Sequence, residues 1–414
     1  MSGAWDSIDR YVIISSDTHA GGEIRQYKNY LDRRWHDEFD TWADTLNSPF
    51  AELRDPDYAR LNWDSAFRMA RMDQQGVAAE IIFPNTLPPF FDTMCHLSGV
   101  PRTQPELDRR WAGLQAHNRW LVEFCAEEPQ RRRGIIQLLP NDVQAAVEET
   151  RWAKDSGVIG GVMLPAVPPN HPVEPYFHSR YEPLWAVCEE LAMPIHQHQG
   201  TGSPDAAGDE PVSTPIWFIE LELWTRRTMT HLMAGGVFDR HPDLKVVWTE
   251  FWGISWVLDE LHRIDKGLKI VQRRYAGDPA ILNFSSVFAS DVTDNLQLSP
   301  SEYFARNCYL GASLLPRHEV ECRHAVGVDR IMWGNDFPHP EGAYPYTLEA
   351  LQATLFDVPV DECRQMLAGV ASNVYAFDMH ALAEVASRIG PRVADVHTPL
   401  SVVPVTTSEA FATL

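Results

Sequence analysis

Residues 132–167 carry the clearest pattern of the fold class. It consists of the apolar run RRGIIQLLP (132–140), the segment VQAAVEETRWAKDSG (143–157) and the second run GGVMLPAV (160–167). The middle segment places apolar residues at helical spacing, and Gly157 at its end is typical of a helix terminus. A buried strand, a helix and another buried strand in close succession predict a β–α–β unit with two parallel strands.

The same alternation extends in both directions along the chain. Six further short runs complete the set: YVIISSDTH (11–19), AAEIIFPN (78–85), MPIHQHQG (193–200), LKVVWTE (244–250), CYLGAS (308–313) and DRIMWGND (329–336). Eight strands alternating with helices predict an α/β fold, a single (β/α)₈ TIM barrel whose chemistry lies at the C-terminal strand ends. An open doubly wound sheet is the alternative, but the turn DTHAGG lacks the GxGxxG pattern that such a sheet prefers.

Charge and cysteine usage exclude several classes of function. The 414 residues include 57 acidic and 35 basic side chains, for a net charge of −22. A surface of that sign repels phosphate backbones and anionic lipids, which argues against nucleic-acid and membrane partners. No signal peptide or long apolar span is recognisable, and the six cysteines form no CxxC pair. These features predict a cytoplasmic protein with reduced cysteines.

Pairs of polar residues end two of the predicted strands. Asp17 and His19 are two residues apart in the first strand, and His196 and His198 are two apart in the fifth. Each pair therefore points to one face of its strand. Two inward-facing histidines are costly to bury without partners. A metal ion or a charged partner would explain them, and hydrogen bonding beneath a loop is the alternative.

Carboxylates end the sixth and eighth strands. Glu250 follows KVVWT, and Asp336 follows IMWGN with His339 three residues later. Each acid alone could be an ion-paired core group or a site group. In a barrel, however, all these strand ends meet at one rim, where imidazoles and carboxylates match a divalent-metal site with an open coordination position. We expect Zn²⁺, with Mn²⁺ as the alternative.

Four motifs together resemble a known family. IISSDTHAG, MPIHQHQG, HPDLKVVWTEFWG and DRIMWGNDFPHPEG occur in the order found in the amidohydrolase superfamily, in the amidohydrolase-2 branch related to aminocarboxymuconate-semialdehyde decarboxylase. The resemblance covers about residues 10–380. It implies a metal-dependent TIM barrel that decarboxylates or hydrolyses a small carboxylated molecule.

The resemblance also implies roles for individual residues. The implied metal ligands are Asp17, His19, His198 and Asp336. The family's strand-five ligand usually lies four residues after a proline, here Pro194, so His196 becomes a catalytic candidate behind the ligands or a substrate contact. The strand-six position is usually a histidine in the decarboxylases, but Glu250 stands there. Glu250 is therefore a candidate acid/base group or a further ligand, and Asp336 is also a catalytic candidate.

Candidates for substrate contacts are less specific. They are Arg226, His339 and Ser313. Arg226 could bind a substrate carboxylate bidentately, although an ion pair on the helix surface is the alternative. His171 and His178 lie in a proline-rich loop near the mouth of the barrel and have no assignable role.

Two reactions fit this set of residues. The decarboxylase branch favours non-oxidative decarboxylation of a small aromatic or conjugated acid. Hydrolysis of a C–N, C–O or C–C bond by metal-activated water is the alternative, because Glu250 replaces the histidine of the decarboxylases. A metal-free glycosidase-type barrel using Glu250 and Asp336 is a further alternative, but it would leave Asp17, His19 and His198 unexplained. A ligand-binding barrel that has lost its activity is another, and the near-complete set of ligands at the rim argues against it.

The sequence predicts one barrel domain, residues 1–390, followed by a C-terminal arm, 391–414. An insertion at 21–60 follows the first strand and should cap the mouth. It is rich in aromatic and charged residues, which include Tyr27, Tyr30, Trp35, His36, Trp42 and Phe50. The family resemblance and the apolar helical segments predict a homodimer, with the arm lying on the surface or on a neighbouring subunit.

Overall fold

The computed structural model describes residues 9–46, 53, 55–91, 99–204, 208, 210–272, 288, 290–313 and 315–412. Phe50 and Cys95 lie outside the described residues. One sheet holds eight parallel strands in sequential order. They are β1 (Ile14–Ala20), β2 (Ala79–Pro84), β3 (Arg132–Gln137), β4 (Ile159–Met163), β5 (Ile195–His198), β6 (Val246–Thr249), β7 (Cys308–Ser313) and β8 (Ile331–Gly334). Each strand coincides with a predicted run, except that β1 extends one residue beyond its run and β4 begins one residue before its run.

The sheet closes where β1 meets the residues that follow β8. The amide of Asp336 donates to the carbonyl of Asp17 at 3.0 Å, and the amide of His19 donates to the carbonyl of Phe337 at 2.6 Å. The predicted (β/α)₈ barrel is confirmed, and the open doubly wound alternative is wrong. Closure brings the C-terminal ends of β1 and β8 side by side, so their polar residues become neighbours.

Helices surround the barrel. Those of eight or more residues are α1 (His36–Thr45), α2 (Ser65–Gln74), α3 (Gln104–Ala126), α4 (Val143–Asp155), α5 (Glu182–Glu190), α6 (Ser213–Ala234), α7 (Trp256–Gln272), α8 (Pro300–Asn307), α9 (Thr347–Leu355) and α10 (Met379–Ile389). Shorter helical segments are Ile24–Tyr30, Arg33–Trp35, Pro56–Ala59, Arg60–Asn62, Ser179–Tyr181, Val237–Arg240, Asp291–Asp294, Arg317–Val320, Arg323–Val326, Val328–Arg330, Val360–Arg364, Gln365–Gly369, Val370–Tyr375, Val393–Val396 and Glu409–Phe411. Asp64 and Asp142 cap α2 and α4, since their carboxylates accept backbone N–H groups of the first turn.

A buried ionic group ties β1, β2, β3 and α2 together. Glu80 on β2 lies 2.5 Å from Arg68 and 3.1 Å from Arg132, and all three side chains are fully buried. Burial alone would raise the pKa of Glu80, but Arg68 and Arg132 outweigh it and keep that pKa below its ordinary value. Arg68 also donates to the carbonyl of His19 at 2.8 Å. This group therefore supports the strand end that carries His19.

The segment after β1 packs on the loop that follows β2. The Tyr27 hydroxyl lies 2.6 Å from Thr86 Oγ1, and the Trp42 indole donates to the carbonyl of Phe91 at 2.9 Å. Trp35 and Trp42 contact the ring of Phe90. The described part of the insertion thus lies on the C-terminal side of the barrel, while its predicted function as a cap over the substrate stays a prediction.

The C-terminal arm packs on its own barrel. The carbonyl of Pro391 accepts the amide of Tyr11 at 2.9 Å, and the His397 ring lies 2.7 Å from the Tyr11 hydroxyl. Phe411 is buried in a small apolar cluster with Ala350 of α9. The other predicted position, on a neighbouring subunit, stays a prediction.

The described part of the chain contains no helix that is both long and apolar enough to cross a membrane. Its cysteines are unpaired: Cys125, Cys188, Cys308, Cys322 and Cys363.

Candidate metal centre

The end of β1 supplies two ligand-type side chains. Asp17 Oδ1 lies 3.4 Å from His19 Nε2, and both residues are fully buried. His19 Nδ1 lies 3.2 Å from the carbonyl of Pro84, the last residue of β2. A carbonyl only accepts, so Nδ1 carries the proton and Nε2 is left as the ligand atom. The other oxygen of Asp17 accepts a hydrogen bond from Ser313 at the end of β7.

His198 and Glu250 join this pair from β5 and the end of β6. His198 Nε2 lies 3.6 Å from Asp17 Oδ1 and 3.0 Å from Glu250 Oε2. Its Nδ1 faces the carbonyl of Gln199 at 3.3 Å, which again directs Nε2 toward the cluster. The Glu250 side chain is 20% exposed, whereas Asp17 and His198 are shielded from solvent. Glu250 thus stands on the open side of the site.

Asp336 completes the cluster from the residue pair after β8. Its Oδ1 lies 3.2 Å from His19 Nε2 and 3.1 Å from His339 Nδ1. The rings of His339 and His19 are stacked at 4.1 Å between centroids. His339 Nε2 lies 3.2 Å from Asn85 Oδ1, and the Asn85 amide donates to Asn62 at 2.6 Å. His339 is therefore held between the Asp336 carboxylate on one side and the hydrogen-bonded side-chain amides of Asn85 and Asn62 on the other.

A tight turn keeps His339 over Asp336. The amide of Gly342 donates to the carbonyl of His339 at 3.0 Å, and the amide of Ala343 donates to that of Asn335 at 2.9 Å. A Cβ on Gly342 would stand 2.6 Å from the carbonyl oxygen of Asn335 and 2.8 Å from that of Asp336. Only glycine fits there without moving the backbone that carries Asp336.

The electrostatics of the cluster favour a cation. Burial lowers the pKa of His19 and of His198, but the carboxylates around them outweigh it: the pKa of His19 rises well above its ordinary value, and that of His198 rises to about 9. Burial would raise the pKa of Asp17 and of Asp336, yet the neighbouring histidines lower both. The carboxylates are thus ionised and attract positive charge to the centre of the cluster.

The donor set fits a divalent metal ion. One ligand atom each of Asp17, His19, His198 and Glu250 lies within 4.8 Å of the others, and His19 and Asp336 belong to a second such group with His339. Two imidazoles with several carboxylates suit Zn²⁺ or Mn²⁺, and thiolate ligands are absent from these groups. The backbone torsion φ of Glu250 and of Asp336 is +62° and +53°, a region that non-glycine residues rarely adopt. Such torsions cluster at functional sites.

Two predicted site residues, His196 and Arg226, lie away from the ligand atoms, and a third, Ser313, contacts a proposed ligand instead of a substrate. The ring of His196 is fully buried below the ligands, stacked on Tyr375 at 5.8 Å and packed edge-on against Phe83. Burial lowers its pKa to about 3, so the ring is neutral. Arg226 pairs with Glu222 on α6, as in the ion-pair alternative, and stands 4.7 Å over the ring of Trp256. Ser313 uses its hydroxyl to hold Asp17.

Sequence reasoning missed some groups at this rim. Glu341 lies close to Glu250, Asp336 and His339, and it follows them in the quoted motif DFPHPEG. Asn85 contacts His339 and was also missed. It is the polar residue that ends the run AAEIIFPN, and a polar residue at a strand end is the signal that could have identified it. Asn62, two residues before the helix cap Asp64, accepts the Asn85 side-chain amide and so belongs to the same group of contacts.

A family model described as amidohydrolase matches residues 88–377. The chain belongs to the amidohydrolase family. The gamma-resorcylate decarboxylase of Rhizobium sp. (strain MTP-10005) is 26% identical over 257 residues, which are 60% of this chain and 72% of that relative.

Solved structures of this fold include two that hold manganese. The 5-carboxyvanillate decarboxylase of Novosphingobium aromaticivorans, complexed with manganese and 4-hydroxy-3-methoxy-5-nitrobenzoic acid, has a TM-score of 0.65 at 17% identity and covers 91% of this chain and 98% of its own. The dihydroxybenzoic acid decarboxylase of Polaromonas sp. JS666, with manganese and the inhibitor 2-nitroresorcinol, has a TM-score of 0.54 at 18% identity and covers 88% of this chain and 97% of its own. These likenesses support the barrel fold of this family member.

Proposed function

We propose that this amidohydrolase-family protein is a metal-dependent, non-oxidative decarboxylase of a small carboxylated aromatic compound. The observation that carries the proposal is the convergence of Asp17, His19, His198, Glu250 and Asp336 at the C-terminal ends of the barrel strands. The matched relatives from Rhizobium sp. and Polaromonas sp. are both gamma-resorcylate decarboxylases, and the match covers 72% and 76% of their lengths. This similarity favours decarboxylation over the hydrolytic alternative.

The metal would be held by Asp17, His19, His198 and Asp336, with Glu250 beside them. When bound, a divalent cation supplies Lewis-acid charge for the oxygen atoms of an acidic substrate. The manganese of the related structures makes Mn²⁺ at least as good a candidate as Zn²⁺. Ser313 and the carbonyl of Pro84 orient Asp17 and His19, as outer contacts of metal ligands commonly do.

Decarboxylation breaks the bond between the ring carbon and the carboxylate carbon. The bonding electron pair stays on the ring carbon, which takes a proton as CO₂ leaves. Glu250 is the best-placed carrier of that proton, because its carboxylate is partly exposed and lies 3.0 Å from His198 at the open side of the cluster. A second such carrier is His339, which Asp336 and Asn85 hold in place.

The proposal is tested with metal-reconstituted protein and a panel of hydroxybenzoic acids. We expect CO₂ release that a chelator abolishes and that Mn²⁺ or Zn²⁺ restores. In D₂O the aromatic product should carry one deuterium at the carbon that lost the carboxylate. Hydrolysis would instead place oxygen from labelled water in the product, and that result would overturn decarboxylation. Protein carrying Asp17→Asn is the matched control.

We also propose that the protein is a homodimer that pairs through α6. Val212, Ile216, Ile219 and Leu223 form one stripe at helical spacing, and between 46% and 67% of each residue's surface is exposed. Phe218 and Trp252, also exposed, pack against each other beside the stripe with their ring centroids 5.5 Å apart. A contiguous patch of six exposed apolar side chains on a highly charged protein is typical of an interaction surface.

The spacing of the stripe suits a second copy of the chain. Its four positions are symmetric about a point between residues 217 and 218. In an antiparallel pair of α6 helices, Leu223 would lie opposite the partner's Val212, and Ile219 opposite the partner's Ile216. Such self-complementarity is what a two-fold interface requires.

We propose a cytoplasmic location as well, and the unpaired cysteines of the described residues support it.

A further inference from the structure

A cavity of about 250 Å³ lies between three loops on the C-terminal side of the barrel. Phe90, on the loop after β2, forms one side. Arg102, two residues before α3, and Arg109 and Arg110 in its first turns form another. His171 comes from the loop after β4, and Ser203 follows β5 by five residues. None of the proposed metal ligands lines this cavity.

The cavity is positively charged although the chain as a whole carries −22. Its described lining holds three arginines and one acid, Glu106. Glu106 lies 3.4 Å from Arg110, and Arg109 lies 3.2 Å from Glu38 outside the lining. No described residue forms an ion pair with Arg102. The positive charges therefore exceed their described partners at this place.

Two polar groups in the lining have no partner among the described residues. The hydroxyl of Ser203 is buried, with the residue 2% exposed, and makes no hydrogen bond. The Nδ1 atom of His171 is buried as well and makes none. Burial, with a further contribution from Arg102, lowers the pKa of His171 to about 4, so its ring is neutral and can donate from Nδ1. Buried donors without partners are costly, and a ligand oxygen would satisfy both.

Arg110 stands between this cavity and a narrower cleft at the strand ends, since its side chain lines both. This side chain is 7% exposed and packs over the ring of Phe91 at 4.1 Å. That cleft reaches Gln137 and Met163, the last residues of β3 and β4, and Thr201 just after β5. A ligand bound at the strand ends could therefore extend along the cleft into the cavity.

We propose that this cavity binds a second anionic group, a carboxylate or a phosphate, of the substrate. The binding groups are the guanidinium of Arg102, the Ser203 hydroxyl and His171 Nδ1, with Arg109 and Arg110 adding positive charge. The substrate is then an aromatic acid with one carboxylate at the metal and another anionic group remote from it. The assignment rests on the proposed function for the first of these groups only.

The test compares two ligands that differ only in the remote charge. The probes are 5-phenylsalicylate and 5-(4-carboxyphenyl)salicylate, titrated calorimetrically into metal-loaded protein. The wild type should bind the dicarboxylate at least about tenfold more tightly, because charge-assisted hydrogen bonds stabilise the remote carboxylate. Arg102→Gln and Ser203→Ala should each reduce that ratio severalfold. Arg151→Gln is the matched control and should keep it, since Arg151 pairs with Glu190 on the outer surface of the barrel.

Inorganic phosphate separates the two sources of the anion. If the cavity serves the substrate, phosphate should compete with the dicarboxylate, and this competition should weaken in both variants. Simultaneous binding of phosphate and dicarboxylate would show a site for a separate small anion and would overturn the proposal, as would an equal ratio in all four proteins. Thermal unfolding verifies that the variants are folded. The binding affinity is measured separately from CO₂ release. If the dicarboxylate still binds more tightly but the protein releases no CO₂, decarboxylation is rejected and the anion site in the cavity is supported.

Discussion

At the residue scale, Glu250 is the candidate proton carrier of the proposed metal site. Its backbone is in the left-handed region and its carboxylate faces the cluster from the exposed side. We expect Glu250→Gln to retain the metal, because Asp17, His19, His198 and Asp336 remain. The rate should fall by about 10²–10⁴-fold, the usual contribution of a positioned proton-transfer group.

Metal content and kcat, measured on the same preparation, distinguish the two roles of Glu250. Glu341→Gln is the matched control, because it neutralises another carboxylate of the same rim. If Glu250→Gln loses metal and added metal restores part of the rate, Glu250 is a ligand. Normal rate and metal content would make it a structural carboxylate, and His339 would become the proton carrier to test.

The two histidines of β5 should separate cleanly in a metal assay. His198 Nε2 lies among the ligand atoms, whereas His196 is packed between Phe83 and Tyr375. His198→Ala should therefore lower the bound metal and the activity together. His196→Ala should lower the free energy of unfolding, since it leaves a cavity in the barrel interior, but keep the metal. Full metal occupancy in the His198 variant would contradict this assignment.

At the scale of elements, helix α3 buries a histidine without hydrogen bonds. His117 is fully buried beside Tyr27 and Trp120, and its ring nitrogens have no partner among the described residues. Burial lowers its pKa to about 3. In the unfolded chain the His117 ring binds a proton near pH 6.5, whereas in the folded chain it stays neutral down to about pH 3. The neutral ring therefore costs no stability above pH 6.5, and the folded state loses stability relative to the unfolded state as the pH falls below it.

We expect the free energy of unfolding to drop by about 1.4 kcal/mol per pH unit below pH 6 on account of His117. Urea denaturation between pH 7 and pH 4.5 measures this slope. His117→Leu should reduce the slope by that amount, whatever it does to the stability at pH 7. The exposed His262 on α7 offers the control variant His262→Leu. Equal slopes for the wild type and His117→Leu would show that the ring is protonated in the folded state.

At the scale of the whole molecule, the stripe on α6 predicts the state of association. Sedimentation at micromolar concentration should show a dimer for the wild type. Ile219→Glu should give a monomer, because it places a charge at the centre of a desolvated interface. Val402→Glu is the control, since Val402 is exposed on the C-terminal arm away from the stripe. A monomeric wild type, or a dimer that survives Ile219→Glu, would reject pairing through this helix.

The apolar runs and the polar residues that end them are sufficient to predict the barrel and the members of the candidate metal site. Strands of a parallel barrel are covered on both sides, so each appears as a short apolar run, and the residues that end the runs share one rim. Asp17, His19, His198, Glu250 and Asp336 were recognisable for this reason. The local pattern is complete within a few residues, and it does not depend on how distant segments pack.

The residues that hydrogen-bond to these strand-end side chains could not be identified from local sequence, because they come from distant parts of the chain. Ser313 is 296 positions from Asp17, and Asn85 is 254 positions from His339, so only closure of the barrel and the turn at Gly342 bring them into contact. His196 and His198 have the same pattern in the sequence, yet one is packed in the interior and the other faces the ligands. The period of a strand fixes the face of a side chain, but its depth in the barrel depends on the stagger of all eight strands.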